Sequence, residues 1–375
     1  MSGMSNARRL LRSISMALIV FVVLLATAAC NDQNNAATGK NNQTSQQTPV
    51  PTPTEQPTEP PPTLSPLILK SIKVQGNRLV DESGATVKLR GAGRWSLDFS
   101  CAGDRHFTVS DFQAMTTWGF NTVRFPLAAN FWLHGDGSCT AQQYQHRVDT
   151  AIQNAESMGL YVIIDLHRNV GGVKGKMPDE NALAFWKDFL PKHHESPLLA
   201  EVFNEPHDVP WNVWLNGGTV DNTPVVGIQT LIKVVNDAAP TMPVLVEGLD
   251  WGYTMKSAPQ IQGKNIVIDS HPYNFGPTTK QPDQWQSDFG FLSSKYPIVA
   301  SEFGDPQLLK VQSSTYNTKV IDTFLQKYSG AVAWNWDTNA AHDKSNFFYL
   351  LNNWDGTPSS IGAPELAAFQ ANANV

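Results

Sequence analysis

Basic residues are scarce in this sequence, and they are not clustered. The 375 residues include 27 Lys and Arg against 33 Asp and Glu, for a net charge of −6, and only 16% of the chain is charged. Proteins that bind nucleic acid usually carry a Lys/Arg-rich face. Because the body of the chain has no such stripe, a nucleic-acid partner is not expected.

The N-terminal region has an apolar run too short to span a membrane, for which about 20 residues are needed. It covers residues 16–29 and follows Arg8, Arg9 and Arg12, the pattern of a signal peptide over residues 1–29. The small residues before Cys30 resemble a bacterial lipoprotein box, although Leu is usual where Thr27 stands. We expect export, with lipidation of Cys30 as the anchor to the outer face of a bacterial membrane. Ordinary cleavage after one of the alanines, giving a secreted protein, is the alternative.

Apolar residues are few in residues 30–66, which are rich in Asn, Gln and Thr and then in Pro and Thr. Such a segment buries too little apolar surface to offset the entropy of ordering, and its prolines favour an extended spacer. We expect a disordered linker that holds a folded body, residues 67–375, away from the membrane.

Cysteine is rare as well, with 3 in the chain. With Cys30 set aside, Cys101 and Cys139 remain as a matched pair, and an exported protein folds in an oxidising compartment. We expect a disulfide between them. Two unpaired small apolar residues are the alternative.

Residues 67–375 alternate between short apolar runs and longer helical stretches. A short hairpin is predicted from residues 69–74 and 86–89. The predicted strands are 87–92, 122–126, 161–166, 200–203, 244–247, 266–269, 298–301 and 331–333, and the predicted helices are 109–118, 141–158, 182–190, 226–238, 283–295 and 315–327. Near-continuous β-branched runs are typical of parallel strands buried on both faces. The pattern predicts an α/β fold, a (β/α)8 TIM barrel. The alternative, a doubly wound open sheet, would carry a Gly-rich phosphate loop after its first strand, and none is present.

Polar residues follow most of the predicted strands, and the carboxyl ends of barrel strands build active sites. They are Arg124, Asp165, His167, Asn204, Glu205, His271, Tyr273, Glu302 and Trp334. Glu205 and Glu302 follow strands four and seven, which face each other across a barrel. Paired carboxyl groups are the apparatus of glycoside hydrolysis, and a separation of about 5–5.5 Å gives retention of configuration.

Six motifs in register make the chain resemble glycoside hydrolase family 5, a family of retaining, cellulase-like β-glycosidases. The motifs are Val123-Arg124-Phe125-Pro126, Ile164-Asp165-Leu166-His167, Asn204-Glu205-Pro206, His271-Pro272-Tyr273, Ser301-Glu302-Phe303-Gly304 and Trp334, and the resemblance covers residues 67–375.

The resemblance implies a role for each of these side chains. Glu205 would be the general acid/base, with a raised pKa. Glu302 would be the nucleophile, kept ionised by Arg124 and Tyr273. Asn204 would donate to the sugar 2-hydroxyl, His167 and His271 would bind hydroxyls or orient the acid/base, and Trp334 would form the sugar floor. Asp165 is expected to be buried and structural. A metal site built from both histidines and Asp165 is the weaker reading, so no metal and no cofactor are expected.

Tryptophan is abundant, with 11 in the chain, and several follow predicted strands. Any single one is more often core than sugar platform, but we expect two or three to bind sugar, with Trp95, Trp132 and Trp251 ahead.

Together these features predict a monomeric endo-β-1,4-glucanase acting on a β-linked polysaccharide. A β-mannanase or another β-glycan hydrolase of the family is the alternative, because fold does not fix substrate. A non-catalytic carbohydrate-binding surface protein is a remote one.

Overall fold

The structure is a computed structural model that describes residues 69–194, 197–276, 278, 280–309, 315–338 and 348–375. The expected signal peptide, lipidated Cys30 and all of the expected linker lie outside these residues. Within the described part of the chain, no helix combines the length and the apolar character needed to cross a membrane.

A closed barrel of eight parallel strands forms the centre of the described body. A two-stranded hairpin, β1 (Lys73–Gln75) and β2 (Arg78–Val80), precedes it. The barrel strands, one to eight, are β3 (Leu89–Gly93), β4 (Thr122–Ala128), β5 (Tyr161–Arg168), β6 (Leu198–Glu201), β9 (Val244–Glu247), β10 (Ile266–Asp269), β11 (Ile298–Ala300) and β12 (Gly330–Ala333). A second hairpin, β7 (Gly217–Val220) and β8 (Thr223–Val226), lies between barrel strands four and five. The predicted (β/α)8 barrel is confirmed.

The longer helices pack around the barrel. They are α1 (Val109–Thr117), α3 (Ala141–Ser157), α4 (Glu180–His193), α6 (Ile228–Ala238), α9 (Tyr316–Gln326) and α10 (Gly362–Ala371). Side-chain caps define the start of three of them, because the Thr108, Thr140 and Asp179 side chains accept hydrogen bonds from the first-turn backbone of α1, α3 and α4. Short helical segments of four to six residues sit in the loops as α2 (Ala129–His134), α5 (Trp211–Asn216), α7 (Leu249–Gly252) and α8 (Trp285–Asp288). In α7 the backbone is left-handed at Asp250 and Trp251.

Two predicted elements are wrong. The segment around residues 86–89 does not pair with residues 69–74 as a hairpin. Instead β1 turns at Gly76, whose φ is +62°, and pairs with β2, while Leu89 begins barrel strand one. The helix predicted over 283–295 is broken, because Phe289 leaves the helical region at φ −148° and separates α8 from a 3-10 turn at Gly290–Leu292.

Two apolar clusters hold the body together. The larger lies between the strands and the helices. The smaller fills the barrel interior with one side chain from most strands, and the first hairpin adds Ile72 and Leu79 to it. Because strand side chains alternate, residues two positions further along each strand also face inward. Those next positions carry the polar groups of the candidate site.

Candidate active site

A layer of charged side chains lies directly above the apolar barrel interior. Leu199, Leu245 and Val267 belong to the interior cluster, and two residues later on the same strands come Glu201, Glu247 and Asp269, each at most 1% exposed. Strand alternation therefore places three carboxyl groups inside the barrel. Sequence reasoning missed these three, although the apolar–x–acidic ending of three neighbouring strands is a readable signal.

Arg124 on β4 organises this layer. Its Nε and Nη2 donate to the two oxygens of Glu201 at 2.7 and 2.5 Å, and Nη2 also lies 2.8 Å from Asp165 Oδ2 and 2.9 Å from Asn204 Oδ1. The remaining Nη1 donates to Glu302 Oε1 at 2.5 Å. Asp165 is fully buried, in the structural position expected from the sequence. The planar five-donor guanidinium suits this role, because it bonds several carboxyl groups at fixed angles.

The buried acids do not all carry charge. Burial, with repulsion from neighbouring carboxylates, raises the pKa of both Asp165 and Glu247 well above the usual range. Burial also raises the pKa of Asp269, to about 6. Glu201 differs because the Arg124 charge outweighs its burial and lowers its pKa to about 2. The layer therefore holds protons beside ionised Glu201, which limits the charge that is buried.

The predicted catalytic pair meets above this layer. Glu205 lies in the loop after β6 and Glu302 directly after β11, and their side-chain oxygens come within 4.8 Å of each other. His271 Nδ1 lies 3.5 Å from Glu205 Oε1 and 3.9 Å from Glu302 Oε2. Glu205 has φ +54°, and its backbone N–H donates to Glu247 Oε2 at 2.8 Å. A side chain from strand five thus holds the peptide that presents Glu205. The spacing is that of a retaining pair, since inverting enzymes need about 6.5–9.5 Å.

Two cations face the oxygens of Glu205. Lys174 Nζ lies 2.7 Å from Oε2, and His271 Nδ1 lies 3.5 Å from Oε1. Burial opposes ionisation, but the His271 hydrogen bond and the Lys174 charge outweigh it and lower the pKa of Glu205. The raised pKa expected for Glu205 is therefore wrong for the free protein, because sequence reasoning placed no cation beside this carboxylate.

Glu302 is held by donors on both oxygens. Arg124 donates to Oε1, and the Tyr273 hydroxyl donates to Oε2 at 2.8 Å. Both contacts stabilise a carboxylate in the orientation that a nucleophile needs. Asn204 is only 3% exposed, and its oxygen already accepts from Arg124, so its amide NH₂ is the group that can donate to a sugar hydroxyl.

The two histidines differ in charge. Burial lowers the pKa of His167 to about 4, so this ring is neutral near pH 7, with Nδ1 2.6 Å from Asp165 Oδ2. For His271, burial is outweighed by the charge of Glu302 and the bond to Glu205, which raise its pKa. Ser301 Oγ lies 2.9 Å from His271 Nε2 and fixes the ring. These two sets of contacts orient both rings toward the catalytic pair.

A cavity of about 890 Å³ opens over the two glutamates. Its lining includes seven predicted site residues, Trp95, His167, Glu205, Trp251, Tyr273, Glu302 and Trp334. It also includes residues that the sequence did not single out, namely Arg168, Lys174, Asp250, Phe275, Lys280, Pro306 and Phe348. Phe275 is 63% exposed and Trp251 is 37% exposed, so both present an aromatic face of the kind that packs on sugar rings.

The aromatic rings of the cavity are positioned by their neighbours. Trp334 stacks parallel to His167 at 5.9 Å and meets the edge of Trp95 at 5.8 Å. Trp95 donates its indole N–H to Asp337. Trp251, in a left-handed turn at φ +59°, stacks on His207 at 3.4 Å. Trp95, Trp251 and Trp334 therefore lie where a bound sugar chain could contact them.

Trp132 does not line the cavity, and its predicted sugar-binding role is wrong. It is fully buried, packs edge-on against Phe185 and Phe189 of α4, and donates to Asp188 Oδ2 at 2.8 Å. The residue lies on α2, which turns this ring toward the neighbouring helix. Trp132 is a core residue that joins two helices.

Cys101 and Cys139 are joined by a disulfide across 5.7 Å between their Cα atoms. They lie in the loops that follow barrel strands one and two. The bridge therefore braces two neighbouring loops on the catalytic face, as the sequence predicts.

Clusters of acidic and histidine side chains near the centre come close enough for metal coordination in principle. One combines Asp165, His167 and Glu302, and another combines Glu205, His271 and Glu302. The Arg124 guanidinium contacts both Asp165 and Glu302. A cation bound there would have to approach this fixed positive charge, so the donor set fits sugar hydroxyls better than a metal ion.

Comparison with known proteins identifies a protein family that matches most of this chain. The model of the family described as cellulase (glycosyl hydrolase family 5) matches residues 80–340. An endoglucanase of Paenibacillus polymyxa is 21% identical over 283 residues, which is 61% of this chain and 70% of the relative. An endoglucanase of Thermobifida fusca is 23% identical, with 71% of this chain and 55% of the relative covered. A glucan 1,3-β-glucosidase of Schizosaccharomyces pombe is 30% identical over 304 residues, 72% of this chain and 73% of the relative.

Solved structures share the fold. A β-glucanase of Saccharophagus degradans, solved in complex with cellotetraose, superposes with a TM-score of 0.64 at 21% identity, covering 82% of this chain and 94% of that one. The major endoglucanase catalytic domain of Xanthomonas campestris gives 0.63 at 17% identity, covering 81% and 100%. At these identities the likeness establishes the barrel and leaves the substrate to be argued from the site.

Proposed function

Because this chain belongs to glycosyl hydrolase family 5, we propose that it is a retaining endo-β-1,4-glucanase that acts on polysaccharide by double displacement. The observation that carries the proposal is the pair of carboxyl groups, Glu205 and Glu302, with oxygens within 4.8 Å of each other at the floor of one open cavity. That spacing fits direct attack by one carboxylate better than the separation of about 6.5–9.5 Å that an inverting mechanism needs.

In the first step Glu302 attacks the anomeric carbon and a covalent glycosyl–enzyme ester forms. The bond from that carbon to the leaving-group oxygen breaks, and the Glu205 proton passes to the oxygen. The Asn204 NH₂ can bond the neighbouring hydroxyl, an interaction that strengthens as the oxocarbenium character develops.

In the second step a water molecule attacks the same carbon. Glu205, now a carboxylate, takes the water proton, and the bond between the sugar and Glu302 breaks. Arg124 and Tyr273 lie against the Glu302 oxygens, where they stabilise the charge that returns to this leaving carboxylate.

The preference for a β-1,4-glucan chain is supported by the aromatic lining and by the endoglucanase relatives. A second candidate is a β-1,3-glucosidase, which the 30% identical Schizosaccharomyces relative favours. A β-mannanase shares the same catalytic pair and differs in the loops around it.

Reducing-sugar release from soluble cellulose, mixed-linkage β-glucan, glucomannan and laminarin, with product profiles over time, separates these readings. We expect fastest release from soluble cellulose, with early products of mixed length. Release of glucose alone from laminarin would instead support the 1,3-glucosidase.

Three variants test the catalytic assignment. Glu205→Gln and Glu302→Gln should each abolish turnover of the best substrate, and Glu180→Gln, an exposed position at the start of α4, should preserve it. Turnover unchanged in both catalytic variants would contradict the assignment. Absence of turnover by the unmutated protein on all four polysaccharides would instead favour a non-catalytic sugar-binding protein.

We further propose that the protein is exported and anchored through a lipid on Cys30, and that it acts as a monomer. Export and anchoring are supported by the arginines and the apolar run near the N-terminus and by the small residues before Cys30. Expressed in a bacterial host, the protein should partition into detergent, and Cys30→Ala should move it to the aqueous phase. Aqueous partition of the unmutated protein would contradict the anchor. The molar mass of Cys30→Ala, measured by light scattering, tests whether the protein is a monomer.

A further inference from the structure

Each oxygen of the acid/base Glu205 faces a different cation. Lys174 Nζ lies 2.7 Å from Oε2, and His271 Nδ1 lies 3.5 Å from Oε1. The other titratable groups around Glu205 come from four segments of the chain, and they are His207 after β6, Glu247 on β9, Tyr273 and Lys280 after β10, and Glu302 after β11. Of the cations, only Lys174 and His271 are in direct contact with the carboxylate among the described residues.

The arrangement conflicts with the first step of the proposed reaction. Glu205 must carry a proton and point it at the leaving oxygen, but Oε2 is occupied by an ammonium donor. Two donors cannot share that direction, and a positive charge at contact distance favours the carboxylate. One of the two cations must therefore move before Glu205 can act as an acid.

The two cations differ in how firmly they are held. His271 is fully buried, and its other ring nitrogen lies 2.9 Å from Ser301 Oγ. The Lys174 side chain is 54% exposed and is carried by the loop between β5 and α4. Three glycines flank it at 171, 172 and 175. Moving the Lys174 side chain would remove few packing contacts, whereas moving His271 would break its contacts with Ser301 and Glu205 inside the site.

Lys174 also stands in the path of a leaving-group sugar. It lines the cavity over the catalytic pair and an adjoining groove of about 370 Å³ that runs to the β7–β8 hairpin. Its Nζ lies 5.6 Å from the Trp251 ring. A sugar whose linking oxygen reaches Glu205 Oε2 must take the place of this ammonium group.

We propose that Lys174 is a displaceable counter-ion of Glu205, which leaves the carboxylate when the leaving-group sugar binds and returns after that sugar departs. This inference rests on the proposed double displacement. In the free enzyme and in the glycosyl–enzyme, Lys174 keeps Glu205 ionised and ready to act as a base. In the substrate complex its departure lets Glu205 hold the proton that it gives to the leaving oxygen. A single loop residue thereby keeps Glu205 protonated for the first step and ionised for the second.

The pH profiles of Lys174→Gln test this directly. The alkaline limb of kcat/KM reports the free enzyme and that of kcat reports the substrate complex. We expect the variant to move the kcat/KM limb upward by about one pH unit, which is about a tenfold gain relative to wild type on the alkaline side. The kcat limb should stay in place.

Lys176→Gln is the matched control, because Lys176 lies two residues further along and pairs with Asp221 outside the catalytic cavity. It should move neither limb. An unchanged kcat/KM limb in Lys174→Gln would overturn the proposal, and so would equal shifts of both limbs, which describe a counter-ion that never leaves. An equal effect of Lys176→Gln would also overturn it.

A titration keeps this proposal separate from the proposed function. With ¹³C-carboxyl glutamate and Glu205→Gln for assignment, NMR follows Glu205 without any substrate. Its titration midpoint should rise in Lys174→Gln, and an unchanged midpoint would overturn the counter-ion. Absence of activity on every β-glucan, by contrast, would contradict only the function.

Discussion

Replacing Glu247 tests whether a protonated acid on strand five positions the acid/base. In Glu247→Ala the Glu205 N–H loses its 2.8 Å acceptor inside the barrel, and an unpaired buried donor costs about 1–3 kcal/mol. With the buried side chain also truncated, we expect about 2–5 kcal/mol of lost unfolding free energy. Thermal unfolding followed by circular dichroism should show a fall in Tm of roughly 4–10 °C.

Glu247→Gln should be tolerated, because the amide oxygen can accept from Glu205 and the NH₂ can replace the acid proton. At or below about pH 4.5 we expect the free energy of unfolding to change by at most about 1 kcal/mol, and activity should stay near that of wild type. In Glu247→Ala the catalytic carboxyl group loses its support, and a displacement of about 1 Å can cost on the order of 100-fold in kcat.

The pH dependence follows from the raised pKa of Glu247, whose ordinary value is 4.5. A group with a pKa raised in the folded state contributes its full stability below its unfolded pKa and loses it as the pH rises toward the folded value. Gln does not titrate. The Tm of Glu247→Gln relative to wild type should therefore increase steadily above about pH 4.5. Equal destabilisation of the Gln and Ala variants at neutral pH would refute this reasoning and indicate an ionised Glu247 paired with His271, 3.6 Å away.

Three further predictions concern regions around the site. Burial raises the pKa of Glu365 to about 8, so its contribution to stability is lost between pH 4.5 and 8. Glu365→Gln should raise the free energy of unfolding by on the order of a few kcal/mol more at pH 8 than at pH 5, seen as a larger gain in Tm at pH 8, and an equal change at both would contradict this. The disulfide between Cys101 and Cys139 closes a loop with a sequence separation of 38, worth about 4 kcal/mol; the double Ser variant and the reduced wild type should show the same lower Tm, and a Tm indifferent to reduction would count against the bridge. Trp251→Ala should raise KM for polysaccharide about tenfold or more at unchanged Tm, from a loss of roughly 1.5 kcal/mol in binding free energy. Trp132→Ala should instead lower the free energy of unfolding by about 3–5 kcal/mol and with it the Tm; the reverse pattern would restore the sugar role of Trp132.

The barrel could be predicted because its strands are buried on both faces. Residues 244–247 and 266–269 are predicted as strands and form β9 (Val244–Glu247) and β10 (Ile266–Asp269). Continuous apolar runs of this kind leave few alternatives for the backbone. The first hairpin was predicted with the wrong second strand, and the β7–β8 hairpin was missed, because such strands are only three or four residues long and the turn carries most of the signal. In β7–β8 that signal is Asp221 and Asn222, both with positive φ, which is the pattern of a two-residue hairpin turn.

The site residues at the strand ends could be predicted because the carboxyl ends of all barrel strands meet on one face, where the active site is built. The loops could not. Trp132 and Trp251 both follow barrel strands, yet a short helix turns one inward and a left-handed turn exposes the other. Nothing in the sequence near Lys174 indicates that its loop folds back onto Glu205, a contact that together with the His271 hydrogen bond reverses the expected pKa shift of the acid/base.

Double displacement at Glu205 and Glu302 is the claim on which the account depends, and the stereochemistry of the first product tests it most directly. Proton NMR of a cello-oligosaccharide digest, recorded before mutarotation, distinguishes the two anomers at the new reducing end. The β-anomer should appear first and convert slowly to the equilibrium mixture. Initial accumulation of the α-anomer would contradict a covalent intermediate on Glu302 and with it the mechanism.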